Sequence, residues 1–354
     1  MQPRFIFTAD DYGPIDFINR GICYAVKNGF INSVHVLSNI GKGQLKDALH
    51  QLNEHVPDGK TLDLGLHLTL TSGGPLHRNH GQNWQTTWGK MLKGSSFKPF
   101  NHFYFGYRNY LAEISNEFTA QHHQLNEALQ TLKNSRLKLT AVSHHHGIFA
   151  IDDVLFWKYA HEFRGSANLA LRSPKALPAS ANNSFFGLVV PLLNLTDRKE
   201  DRLEMERINA AFLQNQFKGP QDLRIKTPSY TEVGFYSSLG SLLTVDALHK
   251  KRIAKKVEAF NEMIERATSY PLKAGHDPDK KVVEYVFHLG DQTQGRRGFK
   301  QHVKHYCGIN HNYFEDRQHE LYALQASIEK HDSVLKNNLV GWDECGEVLF
   351  KRAV

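Results

Sequence analysis

The chain predicts an α/β fold, an incomplete or distorted (β/α) barrel formed by residues 1–354 as a single domain. Two observations predict it. Short apolar runs with strand character alternate with amphipathic helical stretches, the order that yields a parallel sheet covered by helices. Several of those runs stop abruptly at polar residues, and in such barrels functional groups gather at the C-terminal ends of the strands. There is no internal repeat and no evident linker, and one α/β barrel commonly reaches this length.

Taken in order, Phe5-Ile6-Phe7 opens a buried strand that ends at Asp10-Asp11, before a Tyr12-Gly13-Pro14 turn. Ile15, Ile18, Ile22 and Val26 form a helical stripe that ends at Gly29. Residues 33–37 read as the second strand and 62–70 as the third. In the third, five leucines alternate with Asp63, Gly65, His67 and Thr69. Residues 110–133 predict the clearest helix. A fourth strand leads into Ser143-His144-His145-His146. Strands are expected at 168–172, 223–227 and 282–288, and helices near 202–217, 244–268 and 314–330.

Two long connections break the alternation. Residues 72–105 hold Trp84, Trp88, Phe97, Phe100, Phe103, Tyr104 and Phe105, a content that argues against disorder. A substrate-side lid with Trp88 as a stacking face is expected; the alternative is a minicore or a homodimer contact. Residues 173–185 read as an ordinary surface loop.

Composition narrows the class. With 40% apolar and 22% charged residues the chain can build a large core. Its 43 Lys and Arg against 36 Asp and Glu leave +7, but no basic tract concentrates it. That predicts a solvated surface and no nucleic-acid partner. Cys23, Cys307 and Cys345 are odd in number and widely spaced, as reduced thiols of a cytoplasmic protein would be. The first strand starts too near Met1 for a signal peptide, and no apolar run is long enough to span a membrane.

The chemistry concentrates at three strand ends. Adjacent carboxylates at Asp10 and Asp11 repel, so they need a cation, a shared proton or water. The alternative is a solvated turn into the next helix. His67 looks into a barrel or cleft. A single histidine at a strand end is usually structural, but three in a row are harder to explain that way. One Asp and two His from three strand ends suit a divalent metal and leave positions open for water and substrate.

These segments resemble the YdjC-like carbohydrate deacetylases, the family of chitooligosaccharide deacetylase. Thr8-Ala9-Asp10-Asp11-Tyr12-Gly13 is similar to its N-A-D-D-F-G opening, Gly65-Leu66-His67-Leu68-Thr69-Leu70-Thr71 to its G-x-H-L-T-L-T, and Ser143-His144-His145-His146 to its S-H-H-H. Looser matches are Lys226-Thr227-Pro228, Glu284 through Gly290, and Arg317-Gln318-His319-Glu320-Leu321. They follow the family's order. The chain departs at Ile148, where the family commonly has a further histidine, at Ser229-Tyr230, where it has Asp-His, and at Leu289, where it has proline.

The resemblance implies hydrolysis of the N-acetyl group of an amino sugar or oligosaccharide, with one divalent metal held by Asp11, His67 and His144. It points to Mg²⁺, while the ligand chemistry suits Zn²⁺ well. Such an ion acidifies a water and polarises the carbonyl. Asp10 is then the expected general base, and His288 the acid that protonates the leaving amine. Glu284, four residues away on the same strand face, would orient His288. Arg172 is expected to face an acyl or sugar oxygen, or to form a salt bridge. A metal-dependent glycoside hydrolase, a barrel aldolase or isomerase, and a non-catalytic carbohydrate-binding protein are the alternatives.

Overall fold

A computed structural model describes residues 4–98, 106–150, 152–164, 169–173, parts of 207–233 and of 253–265, 282–291 and 312–352. Its strands are β1 (Arg4–Tyr12), β2 (Ser33–Val36), β3 (Leu62–Leu68), β4 (Leu92–Lys93), β5 (Ser96–Phe97), β6 (Leu137–His144), β7 (Ala170–Leu171), β8 (Gln216–Phe217), β9 (Leu223–Lys226), β10 (Tyr230–Val233), β11 (Val282–Phe287) and β12 (Glu347–Arg352). The α-helices are α1 (Asp16–Lys27), α2 (Lys42–His55), α3 (Trp84–Trp88), α4 (Leu111–Gln130), α5 (Asp153–Phe163) and α6 (Asn312–Lys336).

Seven strands form one sheet in the order β10-β11-β1-β2-β3-β6-β7, curled into a distorted half-barrel covered by helices. Each pairing within it is parallel. Successive helices lie side by side on the outside, α6 against α1, α1 against α2, α2 against α4 and α4 against α5. Strand alternation divides β1 between two layers. Phe5, Phe7 and Ala9 join the large outer core under the helices, while Ile6 packs inward with Ala141, Ala170, Val282, Trp342 and Cys345. The inner layer closes one end of the half-barrel, and the polar ends of β1, β3 and β6 lie beyond it.

Trp342 comes from the C-terminal segment. Its indole N–H donates to Ser33 Oγ at 2.9 Å and its backbone N–H to Asp63 Oδ2 at 2.8 Å. Beyond it, β12 pairs antiparallel with β9 and parallel with β8. The strand expected at 223–227 is β9, but β8 and β12 have no counterpart in the sequence reading, because β8 spans only two residues and its register partners are 135 positions away in the chain.

The segment after β3 is anchored rather than free. Glu117 on α4, fully buried, accepts the backbone N–H groups of Leu76 and His77 and the Gln121 amide. Trp88 is also fully buried, wedged edge-on against Phe97 and parallel to Tyr110, with its indole N–H on the His77 carbonyl at 2.8 Å. No face of Trp88 is open to a sugar, so the stacking role expected of it does not fit its placement. The described part of this segment is a minicore on α4. Phe100, Phe103, Tyr104 and Phe105 lie outside the described residues, as do most of 173–185, most of the helical stretches near 202–217 and 244–268, and Cys307. Cys23 and Cys345 are buried free thiols.

Candidate active site

Asp10 and Asp11 both turn to one site because the strand geometry breaks between them. Asp11 has φ 69°, in the left-handed region, and the β1–β2 register shifts between Ala9 and Tyr12. Ordinary alternation would aim the two carboxylates at opposite faces. Instead, Asp11 Oδ1 lies 2.8 Å from His145 Nδ1 and 3.3 Å from His67 Nε2. The three ligand atoms are within 4.8 Å of one another. The buried Oδ1 has no aligned hydrogen-bond donor. His67 Nδ1 is bound to Ser143 Oγ at 2.7 Å, which fixes the ring and leaves Nε2 for a ligand. A carboxylate and two imidazoles converging on one point are a fitting donor set for a divalent cation.

His144 is not in that group. Its ring packs edge-on against Phe149 and Tyr159, and Nδ1 has no hydrogen-bond partner. The reason is the end of β6: Ser143 faces His67, so its strand neighbour His144 points away, and the 3₁₀ turn that starts at His145 brings that ring to Asp11. His146 lies against the His145 ring and meets Thr71 Oγ1 through Nδ1 at 2.9 Å.

Asp10 is held by Arg172, whose Nη1 and Nη2 donate to its two oxygens at 2.7 and 2.8 Å. Burial pushes the Asp10 carboxyl up, but the Arg172 charge, His67 and the close contacts of His35 and Arg172 outweigh it and hold it well below the usual carboxylate range. Asp11 is pushed up by burial and drawn well below that range by His145, His67 and His288. Arg172 spans the site to Glu284, donating through Nε and Nη2, and Thr231 fills the remaining side of that carboxylate at 2.9 Å. Both Arg172 and Glu284 are buried. They face each other and Asp10 rather than open space, so the salt bridge, not the direct substrate contact, describes them.

His35 was hidden in the sequence, an isolated histidine inside a short apolar strand. It is wholly buried, with Nδ1 3.4 Å from Asp10 Oδ1 and its ring over Trp342. Burial pushes its imidazole down to about 4, partly offset by Asp10. The available signal was Gly65, its register partner on β3: a Cβ there would come within 1.9 Å of the His35 ring. A glycine inside a strand marks such a close approach.

His288 follows β11. Its backbone N–H donates to Glu320 Oε1 at 2.8 Å, and Glu320 also accepts from Arg317, so the Arg317–Leu321 motif anchors the loop carrying His288. Its Nε2 is 4.0 Å from Asp11 Oδ2, and 23% of the side chain is exposed. Asp11 and His145 each expose about a tenth, while Asp10 and His67 are sealed. The side bearing His288 is therefore the open one. Burial and Arg317 push the His288 imidazole down to about 4, against the pull of Asp11.

The sequence model of the YdjC-like protein family matches residues 4–328. The chain belongs to the YdjC-like family. A carbohydrate deacetylase from Clostridium beijerinckii is 37% identical over 76 residues, which cover 22% of this chain and 29% of that relative. A crystal structure described as that of a cellobiose-phosphate cleavage protein from Enterococcus faecalis shares the fold, with a TM-score of 0.60 over 97% of this chain and 98% of its own, at 16% identity. Among the described residues no helix is long and apolar enough to cross a membrane.

Proposed function

We propose that the chain, as one domain, is a metal-dependent deacetylase that hydrolyses the N-acetyl group of an amino sugar or oligosaccharide. The observation that carries this is the convergence of Asp11 Oδ1, His67 Nε2 and His145 Nδ1 at the open end of the half-barrel, with a second carboxylate beside them. A divalent cation held by those three residues would acidify a water and polarise the acetyl oxygen. Asp10, kept ionised by Arg172, takes the proton of the attacking water as its oxygen adds to the acetyl carbon. His288, neutral in the resting site, takes up the proton that Asp10 has gained and hands it to the nitrogen as the carbon–nitrogen bond breaks, so that Asp10 is restored and acetate and the free amine leave. Support for that role is its place on the open side, within reach of Asp11. His67 and His145 would hold the ion together with Asp11, and Ser143 orients His67.

The test is acetate release from diacetylchitobiose after stripping the protein of metal and restoring Zn²⁺ or Mg²⁺. Metal-dependent acetate release is expected, with the disaccharide bond left intact. Cleavage of the glycosidic bond, or tight sugar binding without turnover, would overturn the reading.

A further inference from the structure

Asp10, His35 and His67 form a second group whose ligand atoms all lie within 4.8 Å of one another; it shares His67 with the first, so Asp10 and His35 are the donors it adds. A cation already stands there, and it is organic. The Arg172 guanidinium donates to both oxygens of Asp10 and, through Nη2, to His35 Nδ1 at 3.1 Å. A guanidinium has no acceptor, so His35 must present a lone pair at Nδ1 and carry its proton on Nε2. That Nε2 is buried without a hydrogen-bond partner and lies against Gly65. A neutral imidazole nitrogen and a carboxylate aimed at one point are the donors a divalent metal uses. Here they are satisfied by Arg172, whose other edge rests on Glu284 with Nη2 2.7 Å from Oε1.

We propose that Arg172 takes the place of a second metal ion, limiting the centre to one metal and keeping Asp10 out of that metal's coordination. This rests on the reading that Asp11, His67 and His145 hold the metal and that Asp10 is the base. Two parallel N–H···O bonds fix the plane of a carboxylate as well as its position. Asp10 is the chain neighbour of a ligand, and without that clamp it would be free to coordinate the same ion and lose the lone pair a base needs. Arg172 is thus a positioning residue, and His35 is the third point that sets its guanidinium.

The experiment is the zinc content of the full chain, measured by elemental mass spectrometry and titration calorimetry. The wild type should bind one equivalent. Arg172→Met combined with Glu284→Gln, which removes the cation together with the carboxylate it would strand, should bind two. A folded double variant that still binds one ion overturns the proposal, and so does a wild type that binds two. His35→Asn keeps the test open should the double variant not fold. It should retain one zinc with an affinity within about threefold of wild type, because His35 serves Arg172 and not the metal; loss of zinc there overturns the proposal. Arg172→Lys should keep one zinc and lower kcat at least 100-fold with KM within threefold, since an ammonium cannot hold both oxygens; an unchanged kcat overturns the positioning role. The zinc measurements need no substrate, so an inactive wild type sinks the deacetylase reading alone. A wild type that binds no zinc sinks the metal reading and this one with it.

Discussion

The end of β6 decides which of three consecutive histidines reaches a carboxylate across the sheet: alternation turns His144 away, and the 3₁₀ turn that starts at His145 brings that ring back. With Ser143 bonded to His67, the inward positions are 143 and 145. His145→Ala or His67→Ala should therefore lower zinc affinity by 10–100-fold or more, on the order of the loss from disturbing a metal shell. His144→Ala should leave zinc bound and instead destabilise the protein by roughly 1–3 kcal/mol, the usual cost of opening a packed site. Calorimetric zinc titration and urea unfolding of the three variants separate these outcomes, and loss of zinc in His144→Ala would return that residue to the ligand set. The sequence displays the Asp10-Asp11 pair, His67 and the histidine run plainly. It does not display their phase, because a strand end carries no mark of which side chain faces inward. His35 is less legible still, since its partners Gly65, Asp10 and Arg172 meet it only through the parallel register and the sheet's curl.

At the scale of elements, the joint between α4 and the segment after β3 hinges on a single carboxyl group. Burial raises the Glu117 carboxyl from 4.5 to about 7, against hydrogen bonds from Gln121, His77 and Leu76. The folded state therefore keeps this proton to a higher pH than the unfolded chain does. The stability this adds is full below about pH 4.5 and is lost as pH rises through about 7, a change of about 3 kcal/mol for a shift of this size. Urea unfolding at pH 5 and pH 8 should show this fall in the wild type and a flatter profile in Glu117→Gln, whatever that variant's absolute stability. Equal slopes in both proteins would assign the pH dependence to other groups. Aromatic content could not tell a lid from a minicore here. Both need apolar rings, and what separates them for Trp88 is the face of α4 that Glu117 brings beneath the segment.

For the molecule as a whole, the alternation of strands and helices was enough to read a parallel sheet with a covered face, and the half-barrel follows it. The inner layer was not readable. Trp342 and Cys345 arrive from the far end of the chain to pack with Ile6 and Val282, a contact that local periodicity does not encode. One residue links that architecture to its cost. Asp11 stands at φ 69°, a conformation that an aspartate adopts with strain of order 1–3 kcal/mol and glycine adopts freely. In metal-stripped protein, Asp11→Gly should raise the melting midpoint by roughly 2–4 °C while abolishing zinc binding at Asp11, His67 and His145. A lower midpoint would mean that the contacts to His67 and His145 outweigh the strain. With the higher midpoint, the candidate site is where the molecule stays short of its most stable sequence, and drift toward a hardier protein would begin by erasing the activity proposed for it.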